Sequence, residues 1–406
     1  MSLKNFCYLP FNSVSMDSRG GLRPCCNAYE INYGEIKNYD YNSIMNNEHI
    51  LSLRRSFLKD ERHEDCNRCW KLEDNNIKSY REVFLDIFKK DNPKDINYYL
   101  KEQISYDDIE YFDITLSNKC NLACRMCNLY SSSLYAKNLI DLKIYEDKSG
   151  NNGLINHSSD DEEKILHLVA NAKNLNRIYF IGGEPLVNEF HDRVLDVLIK
   201  NGRAKDILLQ YNTNMQVDIK RYLEIWKSFR YITLNASIDG TGSIYEYIRW
   251  PGKFNKVYEN LKLAIEYKNT INKMTVGLSL VNQNLNAENM TDFLEKFVTI
   301  GIDDIWWITV TGGLYLNMTP SYILENELEK IKKVANISPY KDKGRLNMDN
   351  LIGIYEQSIN TPNEDYAEYI KFFNLMKNFD LYRKQNLFNT VPWMKEVADK
   401  HHIESW

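Results

Sequence analysis

The sequence lacks any long hydrophobic run: no stretch approaches the roughly 18 consecutive apolar residues of a membrane helix. It turns polar at Asn12 and Ser13 with no apolar core before them, so no secretory signal is legible. Neither sign of charge dominates. With 56 acidic and 51 basic residues the net charge is −5 over 406 residues, which argues against a protein that works by coating nucleic acid. Internal repeats and long low-complexity tracts are also missing. What remains is 43% apolar and 26% charged, the balance of a soluble globular protein. The length suits two or three domains at about 150 residues each and a core that needs no disulfide staples. The expectation is a cytoplasmic protein with no membrane and no nucleic-acid partner.

Cysteine, by contrast, is clustered: Cys7, Cys25, Cys26, Cys66, Cys69, Cys120, Cys124 and Cys127. An even count is compatible with disulfides. In a long chain without a secretion signal, tight clusters more often bind metal or do redox chemistry.

Three segments are expected. Residues 1–105 hold five cysteines and little regular pattern before Tyr41. A helical run follows from Ser43 to Leu58, then Cys66-x-x-Cys69, then a helix from Ser79 to Phe88, with the charged stretch Lys89–Lys94 as the exit. Residues 106–318 alternate strand with helix. The strands are Tyr111–Leu116, Arg177–Ile181, Ile207–Tyr211, Tyr231–Ala236, Met274–Val281 and Asp304–Val310. Helices at Glu162–Ala172, Glu189–Ile199, Ile219–Trp226, Lys256–Tyr267 and Ala287–Phe297 lie between them. Such alternation predicts an α/β fold with a parallel sheet and functional loops at the strands' C-terminal ends. Residues 319–406 read as helical, with runs at Tyr322–Val334 and Asp365–Met376.

Directly after the first strand of the alternating segment comes Ser117-Asn118-Lys119-Cys120-Asn121-Leu122-Ala123-Cys124-Arg125-Met126-Cys127-Asn128. Three cysteines separated by three and then two residues converge as thiolates from one loop. Structural zinc wants four ligands, and a [4Fe–4S] cluster also usually takes four thiolates. With no fourth Cys or His close by, two readings stand: a zinc knuckle completed from afar, or a cluster with one iron open.

The Cys120-x3-Cys124-x2-Cys127 loop resembles the signature of the radical S-adenosylmethionine (SAM) enzymes. The resemblance implies a partial (β/α)6 barrel in which three cysteines hold a [4Fe–4S] cluster and SAM chelates its fourth iron. The family usually has an aromatic before the third cysteine, where this chain has Met126. A thioether can still pack against an adenine face. Further residues at strand ends fit the same site. Gly182-Gly183-Glu184-Pro185 resembles the family's glycine-rich turn, with Glu184 facing the methionine amine. Asn212-Thr213-Asn214 resembles the polar lip at the ribose and carboxylate. Ser237 and Asp239 of Ser237-Ile238-Asp239-Gly240 are expected to reach SAM, and Arg249 resembles an arginine that pairs its carboxylate.

At the N-terminus, Cys7, Cys25 or Cys26, Cys66 and Cys69 supply four thiolates, and spacing alone suits zinc or a second cluster equally. Gly20 with four residues to Cys25, then Cys66-x-x-Cys69, is similar to the auxiliary-cluster twitch module, the short form of the SPASM domain. That resemblance implies a second [4Fe–4S] cluster on Cys7, Cys25, Cys66 and Cys69, with Cys26 a small buried residue. In most relatives the module follows the barrel; here it precedes it.

The implied activity is an oxidoreductase or related enzyme. It would cleave SAM reductively, served by an external one-electron reductant of the flavodoxin or ferredoxin type, and abstract hydrogen from a substrate. The substrate is either a small polar molecule, aminosugar- or nucleotide-like, or a peptide or protein side chain. A cluster in the N-terminal module with all four irons occupied suits electron transfer. An iron–sulfur carrier or sensor that never cleaves SAM is the reading from another class, and the Gly182–Glu184 and Ser237–Asp239 motifs argue against it. No catalytic acid or base is legible. His401-His402 reads as a solvated tail, Trp306-Trp307 as one ring in the core and one facing helices. Asp380 and Arg383 read either as a surface ion pair or as side chains closing over the barrel mouth.

Overall fold

A computed structural model of the chain describes residues 4–28, 34–38, 45–74, 78–91, 96–310, 314–337 and 346–406. The start of the helical run expected at Ser43 and the end of the Lys89–Lys94 exit lie outside them. The chain forms two compact units. One is Met1–Asn118 with Ile155–Tyr211 and Lys227–Tyr231; the other is Lys119–Leu154 with Asn212–Trp226 and Ile232–Trp406.

In the first unit, β1 (Ser13–Met16), β2 (Gly21–Arg23), β3 (Gly34–Glu35), β4 (Tyr111–Thr115), β5 (Arg177–Ile181) and β6 (Leu208–Thr213) line up as β3-β2-β1-β4-β5-β6. The last two residues of β6 belong to the second unit. Strands β1, β4, β5 and β6 run parallel, and β1-β2-β3 is antiparallel. Segment 1–105 is therefore joined to the strands of the next segment through β1. The sequence shows this poorly, because four residues of Ser-Val-Ser-Met are too short for alternation to register.

Strand periodicity separates the two faces. Val14, Phe112, Ile178 and Leu209 form one cross-strand row, and Met16, Ile114, Phe180 and Tyr211 the next. All eight are buried. Three helices of the N-terminal segment are α1 (Glu48–Leu58), α2 (Asn67–Asp74) and α3 (Tyr80–Asp91). They are followed by α4 (Ser133–Asp141) of the second unit, then α5 (Ser159–Asn171) and α6 (Glu189–Lys200) of the first. Helix α6 meets the apolar face through His191, whose ring lies edge-on to Phe180 at 4.8 Å. Its Nε2 is 3.0 Å from the Tyr211 hydroxyl. The other face is polar: Arg23, Ser15, Asp113, Tyr179 and Gln210 make one row across five strands. Helix α3 lies against its edge, with Phe84 5.1 Å from Tyr111. Helix α5 starts three residues before the predicted Glu162. Ser158 caps it by accepting from the Asp161 amide, and acidic residues fill its first turn.

The second unit carries β7 (Tyr231–Ser237, from Ile232), β8 (Met274–Asn282) and β9 (Ile305–Thr309), all parallel. Its helices continue as α7 (Lys220–Trp226), α8 (Gly242–Ile248), α9 (Phe254–Ile271), α10 (Met290–Phe297), α11 (Ser321–Ala335), α12 (Met348–Asn360), α13 (Tyr366–Arg383) and α14 (Met394–Lys400). The fold class is α/β, with the strand–helix succession of a partial (β/α)6 barrel from β4 to β9. No helix among the described residues is long and apolar enough to cross a membrane.

Two readings of single residues change. Trp307 is buried as expected, but Trp306 is 41% exposed, so much of its ring meets solvent. His401 is not a free tail: its ring stacks on Tyr369 at 4.2 Å.

Candidate active site

The three-cysteine loop belongs to the second unit and is tied down at nearly every residue. The Cys120 amide donates to Ser133 Oγ at 3.2 Å, and Ser132, the cap of α4, donates to the Leu122 carbonyl at 2.6 Å. The Ala123 amide reaches the Trp250 carbonyl at 2.7 Å and the Arg125 amide the Ile248 carbonyl at 2.8 Å. The segment that follows α8 thus clamps the loop from the other side. Its side chain Arg249 points Nη1 at Cys124 Sγ, 3.8 Å away.

Donors also face Cys120. The Leu122 amide lies 3.4 Å from its sulfur. Asn214 Nδ2 lies 3.9 Å from that sulfur and 2.8 Å from Asn121 Oδ1. Polar N–H groups aimed at thiols are what a bound anionic thiolate set requires. Burial pushes the Cys127 thiol up to about 12, with Cys124 adding to the rise. Cys124 is raised by burial against the pull of Arg249. Deprotonated sulfur here therefore needs a cation or metal to hold its charge.

Asp239 is fully buried. Its Oδ2 pairs with Arg249 Nε at 2.7 Å and its Oδ1 accepts from the Val281 amide at 2.8 Å. Burial alone would pull Arg249 down, but Asp239 and then Cys124 outweigh it and raise the guanidinium. Asn212 Oδ1 is buried without a hydrogen-bond partner among the described residues, an acceptor left for a ligand's donor. Ser237 ends β7 beside Ser279 of β8. Met126 packs with Cys127 against an apolar cluster built on Tyr135, Phe372 and Phe379.

Gly182-Gly183-Glu184 ends β5 in the first unit. Gly182 and Gly183 have φ of +72° and +55°. A Cβ at Gly182 would stand 2.2 Å from Thr115 Cγ2, so only glycine fits there. Glu184 is buried and its Oε1 accepts from the Leu186 amide at 3.1 Å, capping the short turn Pro185–Val187.

The N-terminal thiols gather in the first unit. Burial, then Cys7 and Cys25, raise Cys66, with Cys69 also contributing. Cys25 is raised by burial and by Cys7, and burial pushes Cys7 up to about 12. Cys26 turns elsewhere: after burial its strongest partners are Asp113 and the neighbouring Cys25, with hydrogen bonds to Tyr80 and Asp113. Four soft, mutually close thiols suit an iron–sulfur cluster by donor chemistry. Among the described residues no three His, Cys, Asp or Glu side chains are drawn around one single-ion position.

Asp113, in the polar row beneath Cys26, went unnoticed in the sequence because a lone Asp in an alternating strand reads as solvent-facing. It is 1% exposed. Burial pushes its carboxyl up to about 7, against hydrogen bonds from Ser15 and Cys26. The folded protein therefore holds this proton more tightly than the unfolded chain does. The associated stability is complete below about pH 4 and is lost as pH rises through 7. Asp113→Asn should gain on wild type by roughly 2 kcal/mol between pH 5 and pH 8 in denaturant titrations. An identical pH slope in both proteins would refute the buried acid.

Arg125, between two of the cysteines, was missed because its partner lies 255 residues away. Both it and Asp380 are fully buried, and Nη2 meets Asp380 Oδ1 at 2.6 Å. Its Nε donates to the Tyr247 carbonyl at 3.0 Å, and its guanidinium lies 3.5 Å from the centre of the Tyr247 ring. Asp380 also accepts from the Tyr247 hydroxyl, the Leu387 amide and the Trp406 indole. Asp380 and Arg383 are thus buried, and the aspartate's partner is Arg125.

The family description "Radical SAM superfamily" matches residues 114–297, and "Iron-sulfur cluster-binding domain", the SPASM family, matches residues 7–70. The first span takes in the cysteine loop, the glycine turn and Arg249; the second begins at Cys7 and ends one residue past Cys69. A protein named probable GTP 3′,8-cyclase from Methanocaldococcus jannaschii is 25% identical over 251 residues, 60% of this chain and 74% of its own length. The radical SAM cyclopropyl synthase TigE of Paramaledivibacter caminithermalis is 26% identical over 244 residues, 58% of this chain and 47% of its own. This chain therefore spans about half the length of the second relative. The structure of Streptococcus suis SuiB bound to S-adenosylmethionine aligns with 54% of this chain and 43% of its own, at 15% identity and a TM-score of 0.34. Residues 114–297 thus form a radical SAM domain, whose cofactors are SAM and a [4Fe–4S] cluster, and residues 7–70 an iron–sulfur SPASM domain ahead of it.

Proposed function

We propose that this protein is a two-cluster radical SAM enzyme that removes a hydrogen atom from a small polar substrate, aminosugar- or nucleotide-like, with the N-terminal cluster taking up or relaying an electron. The observation that carries the reading is the clamped loop with N–H donors on two of its sulfurs, Asn214 on Cys120 and Arg249 on Cys124. If bound there, a reduced cluster and SAM would together supply a 5′-deoxyadenosyl radical. The chain's own part is to hold Cys120, Cys124 and Cys127 in one loop and to keep water from them by burial. Glu184, Asn212, Asn214, Ser237, Asp239 and Arg249 are the residues we assign to SAM, directly or by orienting one another.

A small polar substrate is supported by the polar row on the first unit's sheet. Half-buried Tyr179 lies beside buried Asp113, with half-buried Gln210 next in the row, and Arg177 Nη1 donates to Gln210 at 3.3 Å. A sheet face that keeps a buried acid, a phenol, an amide and a guanidinium is built for hydroxyls, amines or phosphates rather than an apolar chain. Relatives named GTP 3′,8-cyclase agree with a nucleotide-like molecule. The test is a panel of nucleotides, aminosugars and peptides given to anaerobically reconstituted protein with a low-potential reductant. Acceleration of 5′-deoxyadenosine release by a nucleotide or aminosugar supports the reading. Acceleration by peptides alone replaces it with side-chain modification, and no 5′-deoxyadenosine under any condition leaves an electron carrier.

For the N-terminal site we assign Cys7, Cys25, Cys66 and Cys69 as ligands. Cys26→Ala should keep about eight irons per chain, whereas Cys25→Ala should keep about four. Iron analysis with electron paramagnetic resonance decides it. The reverse pattern would make Cys26 the ligand, and stoichiometric zinc in place of iron would make the module structural.

A further inference from the structure

Among the described residues, one buried cation in the second unit has no anion to answer it. Arg383, the last residue of α13, is 6% exposed. Its Nε donates to Asn138 Oδ1 at 3.0 Å, but Nη1 and Nη2 are buried with no hydrogen-bond partner among the described residues. The guanidinium lies 4.0 Å from the centre of the Phe379 ring and 5.0 Å from that of Trp250. Phe379 belongs to the apolar cluster against which Met126, Cys127 and Trp250 pack. The carboxylate nearest in sequence, Asp380, is committed to Arg125, Tyr247, the Leu387 amide and Trp406.

Burial, with Arg125 nearby, pulls Arg383 down to about 9, while Cys124 pulls it up. The group therefore stays charged at neutral pH. A buried charge with four of its five N–H donors unused is expensive, and stacking on two rings offsets only part of that cost. The position makes sense if an anion forms beside Cys124. A [4Fe–4S] core on three thiolates is such an anion, and one-electron reduction adds one more negative charge.

We propose that Arg383 is the built-in counter-cation of the iron–sulfur cluster held by Cys120, Cys124 and Cys127, stabilising its reduced form. This rests on the ligand assignment above. A positive charge in a dry site favours the more negative oxidation state, so it makes the midpoint potential less negative.

The test is a potentiometric titration followed by electron paramagnetic resonance, without SAM, on the full chain with both clusters. The wave of this cluster is the one that Cys124→Ala removes. Arg383→Met should lower its reduced-to-oxidised ratio at fixed potential at least tenfold, a midpoint 59 mV more negative. Arg383→Lys should stay within threefold of wild type, and the other wave should not move in either variant. Iron content and SAM affinity should stay within twofold of wild type. If Arg383→Met fails to hold iron, Arg383→Gln is read by the same criteria. An unmoved wave overturns the proposal alone. An unmoved wave with weakened SAM binding assigns the arginine to the carboxylate of SAM instead. Wild-type protein that takes up no cluster sensitive to Cys124→Ala overturns the ligand assignment, and this proposal with it.

Discussion

Alanine at Cys124 is expected to abolish 5′-deoxyadenosine formation and to lower iron from about eight to about four per chain, one cluster out of two. The loop offers three thiols, and no other Cys and no His lies within it. Two remaining thiolates cannot hold a cluster that normally uses four ligands. The Arg249 guanidinium at 3.8 Å would also lose the sulfur it faces. Chromatographic assay of 5′-deoxyadenosine after anaerobic reconstitution decides the matter. Product that survives the substitution would remove the loop from the chemistry.

The second large effect is on folding. Asp380→Ala should destabilise the second unit by about 3–5 kcal/mol, because it leaves the Arg125 charge buried and unpaired. The loss should appear in the denaturant midpoint and in slower or incomplete cluster uptake, since Arg125 sits inside the cysteine loop. Replacing both members, Arg125→Met with Asp380→Leu, should recover most of the stability, because it removes the uncompensated charge as well as the pair. A single-variant loss below about 1 kcal/mol would show that the pair is solvated like a surface bridge.

The strands were legible because their apolar runs are bounded by turn residues. All six expected strands from Tyr111 to Val310 lie within two residues of their observed ends. The cysteines were legible because spacing within a loop is local information. The arrangement around them was not. Arg125 meets Asp380 across 255 residues, and nothing local in either stretch points to the other. Arg383 reads as an ordinary helix-terminal cation, favoured at that end by the helix dipole, until its burial is seen. The choice between Cys25 and Cys26 is similar. Glycine spacing selects one, but the reason the other turns away is Asp113, which lies nearly ninety residues later on a parallel strand. Short N-terminal strands escaped notice because their partners across the sheet, rather than their own composition, make them strands.

The long reach of that buried pair also orders events during synthesis. At about 5–20 residues per second, the ribosome needs roughly 13–50 s to travel from Arg125 to Asp380. The cysteine loop is complete in sequence throughout, yet it lacks Ile248 to Trp250 for about the first half of that interval and Asp380 for all of it. Its thiols are exposed to oxidation and to stray metal while they wait. The N-terminal thiols, all made before residue 70, face no such delay from distant partners beyond Asp113. Metal loading of the two sites is therefore expected to be staggered, the N-terminal one first. A pause or truncation late in the chain would leave a protein that has filled one site and cannot hold the other.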